Sequence, residues 1–459
     1  MLDRASSVRR LCRIVPLLLV ALSAAPARGA DLLQIYRDAL ANDSTYASAR
    51  ATRDAGLENL PQGLAQILPT VNATGFAQAN NVDIQFRSVA GSTLSGPLES
   101  QRSGPTSGFN VTLTQPLFNW QNFQVYKEAG FKAAQAEAIF GQATQDLIVR
   151  VAQAYFDVLA SQDSLAFIQG QKVAIAEQLA QAKRNFEVGT ATITDTHEAQ
   201  ARFDLATSQE IAAQSGLEIK KRTLQQIVGK FPEQLAPLKA NIDLNAPTPN
   251  AMEDWASAAS SQSFSVRAQE AAVEVSVREI ERLRAGHLPT LNIVGNAGVS
   301  NSGLSTTATV NSAADTTTYN LGLQLAIPIY AGGNVNSLVR QAVANREKAQ
   351  QDLESTRRTS ALSARQSFLG VTNGMAQVKA LEAALLSSRS ALDSNKLGYE
   401  VGVRINIDVL NAQQQVFSTL RDLSRARYDT LLNGLRLKAA AGTLTDDDVE
   451  EINRLLGAN

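Results

Sequence analysis

Eight residues at 188–195, Val-Gly-Thr-Ala-Thr-Ile-Thr-Asp, return 213 positions later at 401–408 as Val-Gly-Val-Arg-Ile-Asn-Ile-Asp. Each copy interrupts a long helical pattern. Gly189 and Gly402 supply the left-handed backbone position at which a helix can stop. Asp195 and Asp408 fall where the next helix begins, which suits an anion at the positive end of a helix dipole. The chain is thus constrained to two helix-turn-helix tips at equivalent places in two halves.

Other pairs keep nearly the same offset. His287-Leu288-Pro289-Thr290-Leu291 answers Ile67-Leu68-Pro69-Thr70-Val71 at 220 positions. Pro328 answers Pro116 at 212, Phe368 answers Phe156 at 212, and Tyr399 answers Phe186 at 213. The larger step falls across the loop between the paired strands, where length varies freely. An offset this steady across helices, strands and turns indicates an internal duplication.

Two stretches in each half alternate with period two. Val71, Ala73, Gly75 and Ala77 alternate with Asn72, Thr74, Phe76 and Gln78. A second run spans 109–117, and a Gly/Ser/Asn-rich loop is expected between them over roughly 79–107. In the second half Tyr319, Leu321, Leu323, Leu325 and Ile327 alternate with Thr318, Asn320, Gly322, Gln324 and Ala326. From 288 to 339 the one charged residue is Asp315. This fits strands with one face on lipid and one on water, near the ~9–11 residues that a membrane strand needs. A half-buried soluble sheet is the plainer alternative, and charge depletion argues against it. Four strands cannot close a useful barrel, and open edges are not viable in lipid, so several copies must share one.

The helices are the larger part. The 69 residues of 120–188 would reach roughly 100 Å if continuous. They carry a seam of Leu147, Val151, Ala154, Val158, Leu165, Ile168, Ile175, Leu179, Ala182 and Phe186. Val371, Val378, Leu381, Leu385, Leu392 and Tyr399 repeat it. Spacings of three and four favour left-handed coiled-coil packing. The return helices carry Phe203, Ala206, Leu217 and Leu224, then Val409, Val416, Leu423 and Leu437. An ordinary soluble bundle would use the same pattern, but the strands speak against it.

Of the 459 residues, 44% are hydrophobic but only 5% aromatic, a mix that favours close-packed long helices over a thick globular core. Residues 1–30 read as a secretory signal peptide: Arg4, Arg9, Arg10 and Arg13, an apolar run over 14–25, then small residues with cleavage after Ala27 or Ala30. A membrane anchor is the alternative, though the run is short and ends at Pro26 and Arg28. That segment holds five Arg and one Asp, so its loss takes the formal charge from −1 to about −5, and nucleic acid is not an expected partner. Cys12, the single cysteine, goes with it. His197 and His287 stand alone, Gly332-Gly333 reads as a turn, and no nucleophile with its base or metal-ligand spacing is present. Neither catalysis nor a cofactor is expected. The chain divides into signal peptide (1–30), first repeat (31–229: helix, two strands, long helical hairpin), irregular linker (230–262, with Pro232, Pro237, Pro247 and Pro249), second repeat (263–442) and C-terminal tail (443–459).

On these residues the chain resembles the TolC family of outer-membrane efflux and type I secretion ducts. The carrying features are Asp31-Leu32-Leu33-Gln34-Ile35-Tyr36, the paired Leu-Pro-Thr turns, the turns at Pro116 and Pro328, the segment 399–412, and Ala441-Gly442-Thr443-Leu444. The resemblance covers essentially 31–456. It implies a mainly α fold with membrane β structure: a homotrimer whose β-barrel, four strands per chain, sits in outer-membrane lipid and continues as a long α-helical coiled-coil barrel across the periplasm of a Gram-negative bacterium. It further implies a passive exit duct, opened at its periplasmic end by a periplasmic adaptor (membrane fusion) protein and an inner-membrane RND or ABC transporter. By the same resemblance Val188, Gly189, Thr190, Val401, Gly402 and Val403 are adaptor contacts. Thr194 keeps the family's hydroxyl at the first tip, and Ile407 replaces it at the second. Asp195, Tyr399, Arg404 and Asp408 match the periplasmic gate, with Asp195 as the expected partner of Tyr399 and Arg404, and Asn411 stands where the family has a second acidic ring. Simple helix reversal is the alternative reading of the glycines, and helix-start chemistry that of the aspartates. A trimeric structural or adhesin-like envelope protein is the rival from another class.

Overall fold

The computed structural model describes residues 30–85, 99–230, 234–239, 242–303, 305–306 and 313–457. The signal-peptide reading, apart from Ala30, and the stretch 86–98 of the first strand-connecting loop lie outside them.

The first half begins with α1 (Leu32–Asn42), α2 (Ser44–Leu57) and α3 (Asn59–Ala65), followed by β1 (Thr70–Gln85) and β2 (Glu99–Phe118). Then α4 (Trp120–Glu187) runs unbroken for 68 residues and α5 (Ile193–Val228) returns. The second half repeats this order with α6 (Met252–Gln262), α7 (Phe264–Arg284), β3 (Thr290–Ser302), a two-residue β4 (Ser305–Thr306) and β5 (Ala314–Ala326). The 67-residue α8 (Asn334–Glu400) and α9 (Asn406–Ala440) form its hairpin, and α10 (Asp446–Asn453) follows.

The single helix expected at the start of the first repeat is broken at Asp43, whose carboxylate accepts the Tyr46 N–H at 2.6 Å and starts α2. Ser263 makes the equivalent break in the second half, accepting the Val266 N–H at 3.4 Å. Each break receives the end of a return helix. Gly229, at φ 81°, closes α5 against Asn42. Gly442, at φ 75°, closes α9 so tightly that a Cβ would lie 2.7 Å from the Gln262 carbonyl oxygen. The duplication therefore extends to how the helices abut.

The sheet runs β1-β2-β3-β5 with antiparallel neighbours, and β4 pairs with β2. Register sorts the side chains by face. Val71, Leu113, Gly295 and Leu321 stand in one row across the strands. Ala73, Val111, Ala297 and Tyr319 form the next, and Gly75, Phe109, Val299 and Thr317 the third. The intervening rows are Asn72, Thr112, Asn296 and Asn320, then Thr74, Asn110, Gly298 and Thr318. Successive residues point to opposite faces, so one face is apolar and the other carries amides and hydroxyls. Ile293 and Leu323 extend this face by a further row on β3 and β5, with Gln115 beside them on β2, so the band there is about 20 Å tall.

The strands are longer than expected, 13 to 20 residues, and the polar loop shrinks accordingly. Polar sequence did not stop pairing, because the ladder satisfies the backbone and Asn80 adds a 2.9 Å hydrogen bond to Thr106 Oγ1. Pro116 sits where β2 slips against β3, a bulge that tolerates its missing N–H.

The predicted seam is buried at Leu147, Val151, Ala154, Val158, Ile175, Leu179 and Ala182, while Phe186, at the free end, is exposed. The main core lies midway along the long helices. Leu32, Ile35, Tyr36, Tyr155, Phe156, Tyr428 and Leu432 pack there with Leu444, Val449, Ile452 and Leu456. The segment 443–457 therefore supplies four side chains to the core. The stretch 230–262 ends in α6, and Leu235 and Leu238 bridge to Ala30 and Leu456. Tyr155, fully buried, donates its hydroxyl to the Ala236 carbonyl at 2.7 Å.

Candidate functional site

The two tips are the same bend built twice. At the first, α4 stops at Val188 and Gly189 takes φ 77°. The Thr190 and Ala191 N–H groups then both donate to the Asn185 carbonyl, at 2.8 and 3.2 Å. At the second, α8 stops at Val401 and Gly402 takes φ 80°. There the Val403 and Arg404 N–H groups donate to the Gly398 carbonyl, at 2.8 and 3.0 Å. Asn185 and Gly398 are again 213 residues apart. Nothing lies within 4 Å of where a Cβ would stand on Gly189 or Gly402, so the bend needs the positive φ and not the space.

Both tips present apolar side chains to solvent. Val188, Val401 and Val403 are 65–75% exposed, and Ile193 and Ile405 are exposed beside them. Thr194 is exposed as well. Ile407, which replaces the hydroxyl at the second tip, packs with Leu410 into an apolar cluster of Ile175, Leu179, Ala199 and Ala206.

The helix starts differ. Thr192 caps α5 in a reciprocal box: the Asp195 N–H donates to Thr192 Oγ1 at 3.3 Å, and the Asp195 carboxylate accepts the Thr192 N–H at 3.0 Å. The same carboxylate oxygen accepts the Thr192 hydroxyl at 2.8 Å. Within the chain the Asp195 carboxylate is thus engaged by its own turn, since a capping box satisfies two orphan N–H donors. At the second tip Ile405 offers no side-chain cap. Asp408 lies in the first turn of α9, where its charge suits the dipole, and its carboxylate is 3.7 Å from Arg404 Nη1.

Tyr399 finds a partner that the sequence did not indicate. Asn185 Nδ2 donates to its hydroxyl at 3.2 Å, linking the ends of α4 and α8. Asn411 is also bonded: Arg202 of α5 donates through Nη2 to Asn411 Oδ1 at 3.0 Å and through Nη1 to Gln414 Oε1 at 2.7 Å. Tyr399 and Asn185 thus meet at one level and Asn411 and Arg202 at another, while Arg404 and Asp408 form the local pair between the bend and α9. The T-x-x-D signature at 192–195 could have announced the capping box. Nothing local in the sequence marks Asn185 or Arg202, since each acts across the gap between hairpins.

Among the described residues no three His, Cys, Asp or Glu side chains are grouped to hold a metal ion. No described helix is long and apolar enough to cross a membrane. The chemistry on offer is two apolar, exposed tips, a set of interhairpin hydrogen bonds above them, and a two-faced sheet at the opposite ends of α4 and α8.

The model of the outer membrane efflux protein family matches residues 35–230 and 255–443, one segment in each half. Outer membrane protein TolC of Vibrio cholerae is 32% identical over 423 residues, covering 92% of this chain and 93% of that protein. The alkaline protease secretion protein AprF of Pseudomonas aeruginosa is 31% identical, covering 91% and 86%. Among solved structures, the Campylobacter jejuni CmeC outer membrane channel superposes with a TM-score of 0.76 at 15% identity, covering 99% of this chain and 98% of that one.

Proposed function

Because this chain belongs to the outer membrane efflux protein family, we propose that three copies of it close a single β-barrel and a single helical barrel, with the tips described above as the regulated periplasmic end. The chain is an outer-membrane efflux or secretion channel that extends into the periplasm. It follows the tripartite plan of its family.

One observation supports closure with further copies. The sheet ends at β1 on one side and β5 on the other, with apolar rows running out to both edges. An open edge with an apolar face is incompatible with lipid and with water, and closure with further copies removes it. Exposed Val173, Leu205, Ile211, Ile219, Leu386 and Leu397 on the long helices call for neighbours of the same kind. The repeats 31–229 and 263–442, joined by 230–262, then place six hairpins around one axis.

The tips are the adaptor-docking points: Val188, Gly189, Thr190 and Thr194 on one, Val401, Gly402 and Val403 on the other. Exposed valines beside an open glycine bend form a small apolar knob that a periplasmic adaptor can cover. Asp195, Tyr399, Arg404, Asp408 and Asn411 make up the gate, with Asp408 the one acidic ring. Repulsion among three copies of Asp408 is relieved by Arg404 in the same chain. The inner-membrane partner is an RND or ABC transporter. Relatives named for protease secretion and for toluene efflux support type I secretion and drug-type efflux alike.

Co-purification of the cross-linked trimer from cells tests the partnership. An adaptor and an inner-membrane transporter should be recovered with the native tips and lost with Gly402→Leu. Equal recovery from both would remove the tips from docking.

A further inference from the structure

We infer that Arg202 is a latch between the two hairpins of each chain. Its fork across Asn411 and Gln414 holds α5 against α9 just above the tips. This rests on the gate reading above, and it adds a residue that the gate assignment does not contain.

The geometry is specific. The two donors of one planar guanidinium reach two acceptors three residues apart on α9, at 3.0 and 2.7 Å. Positions i and i+3 share a helix face, so one rigid fork can span them. Directly beside it lies the apolar cluster of Ile175, Leu179, Ala206 and Leu410, which keeps the two helices in contact. Among the described residues, the next interhairpin hydrogen bond towards the tips is Asn185 to Tyr399, and the next level away from them is Asp163, which accepts the Tyr428 hydroxyl at 2.8 Å and meets the Ser424 hydroxyl. Between those two levels the fork is the polar tie. Widening of the aperture by moving one hairpin against the other must break it.

Asn411 fits this role better than an acid would. An amide oxygen accepts one arm of Arg202 without the charge-assisted strength of a carboxylate, so the tie is firm in geometry and moderate in energy. A tie of that kind can be released by a docking partner. Converting it to a carboxylate makes it stronger.

Single-channel conductance of purified trimers in planar bilayers tests the latch. Arg202→Ala should raise mean conductance roughly two- to fivefold, the shift expected on removing a modest tie from a two-state aperture. Arg202→Lys keeps the charge and loses the fork, and it should behave like Arg202→Ala. Asn411→Asp should lower conductance below wild type. If Arg202→Lys conducts like wild type while Arg202→Ala does not, charge alone acts and the latch is overturned. If Arg202→Ala conducts like wild type while Tyr399→Phe with Arg404→Ser opens the channel, the gate stands and the latch falls. If neither set changes conductance, the gate reading fails, and the latch falls with it.

Discussion

Gly189 and Gly402 hold φ near 80° with open space around them, so a side chain there meets strain but no neighbour. Gly189→Leu or Gly402→Leu should cost about 1–2 kcal/mol of local stability through the left-handed backbone. Trimers should still form, while cross-linking to the adaptor is lost. Tyr399→Phe removes the acceptor of Asn185, and Arg404→Ser frees Asp408; together they should raise conductance, whereas Asp408→Ala should lower cation selectivity and block by trivalent cations. A bilayer recording reads all three quantities. Deeper in, burial holds the Asp163 carboxyl above the usual carboxylate range, against the pull of the Tyr428 and Ser424 hydroxyls. A folded pKa above the unfolded one means that the folded chain grips this proton more tightly. The cost of ionising Asp163 is therefore absent below the ordinary carboxylate pKa of about 4 and grows as pH rises through the folded value. Tyr428→Phe removes a donor to the ionised form and should destabilise by about 1–2 kcal/mol near pH 8 and by less near pH 4. Thermal melts at the two pH values check the sign. At this scale the bends were legible, because Val-Gly at the end of a helical pattern is a local signal. Partners within the chain are not: Asp195 bonds to Thr192, three residues away, and Tyr399 to Asn185, 214 residues away.

The sheet shows what an element adds to its residues. Alternation identified the strands, but only the register shows that Val111 stands between Ala73 and Ala297 in an apolar row while Thr112 stands between Asn72 and Asn296 in a polar one. Val111→Arg should cost about 2–4 kcal/mol if its row meets the bilayer midplane, and much less if that face meets water. Thr112→Arg is the control. Heat-modified migration of the trimer on gels reads both, and equal effects would deny the two faces their different solvents. The strands run past their expected ends because Gly, Ser and Asn residues that read as loop are also acceptable in a ladder that satisfies their backbone. The opening helix stops short at Asp43 for the opposite reason, since one cap interrupts an otherwise continuous pattern.

For the whole molecule, the duplication visible at a 213-residue offset accounts for two hairpins, two strand pairs and two equivalent abutments at Gly229 and Gly442. What the duplication does not account for is the segment 443–457, which has no counterpart in a simple repeat and closes the core with Leu444, Ile452 and Leu456. Removing residues 443–457 should therefore abolish stable assembly, as native mass in detergent would show. Four strands per chain leave the barrel open, and the proposed trimer closes it with twelve; the same measurement should give a trimer for the full chain, and a stable monomer with an intact sheet signal would oppose it. The central claim is that this trimer is a passive duct and not an envelope spacer. Purified trimer, free of adaptor and transporter, in a planar bilayer decides it most directly. The account predicts discrete cation-preferring conductance steps with no energy source, larger in the Tyr399→Phe, Arg404→Ser variant. A correctly assembled trimer that conducts nothing, in the native form and in that variant, would contradict it.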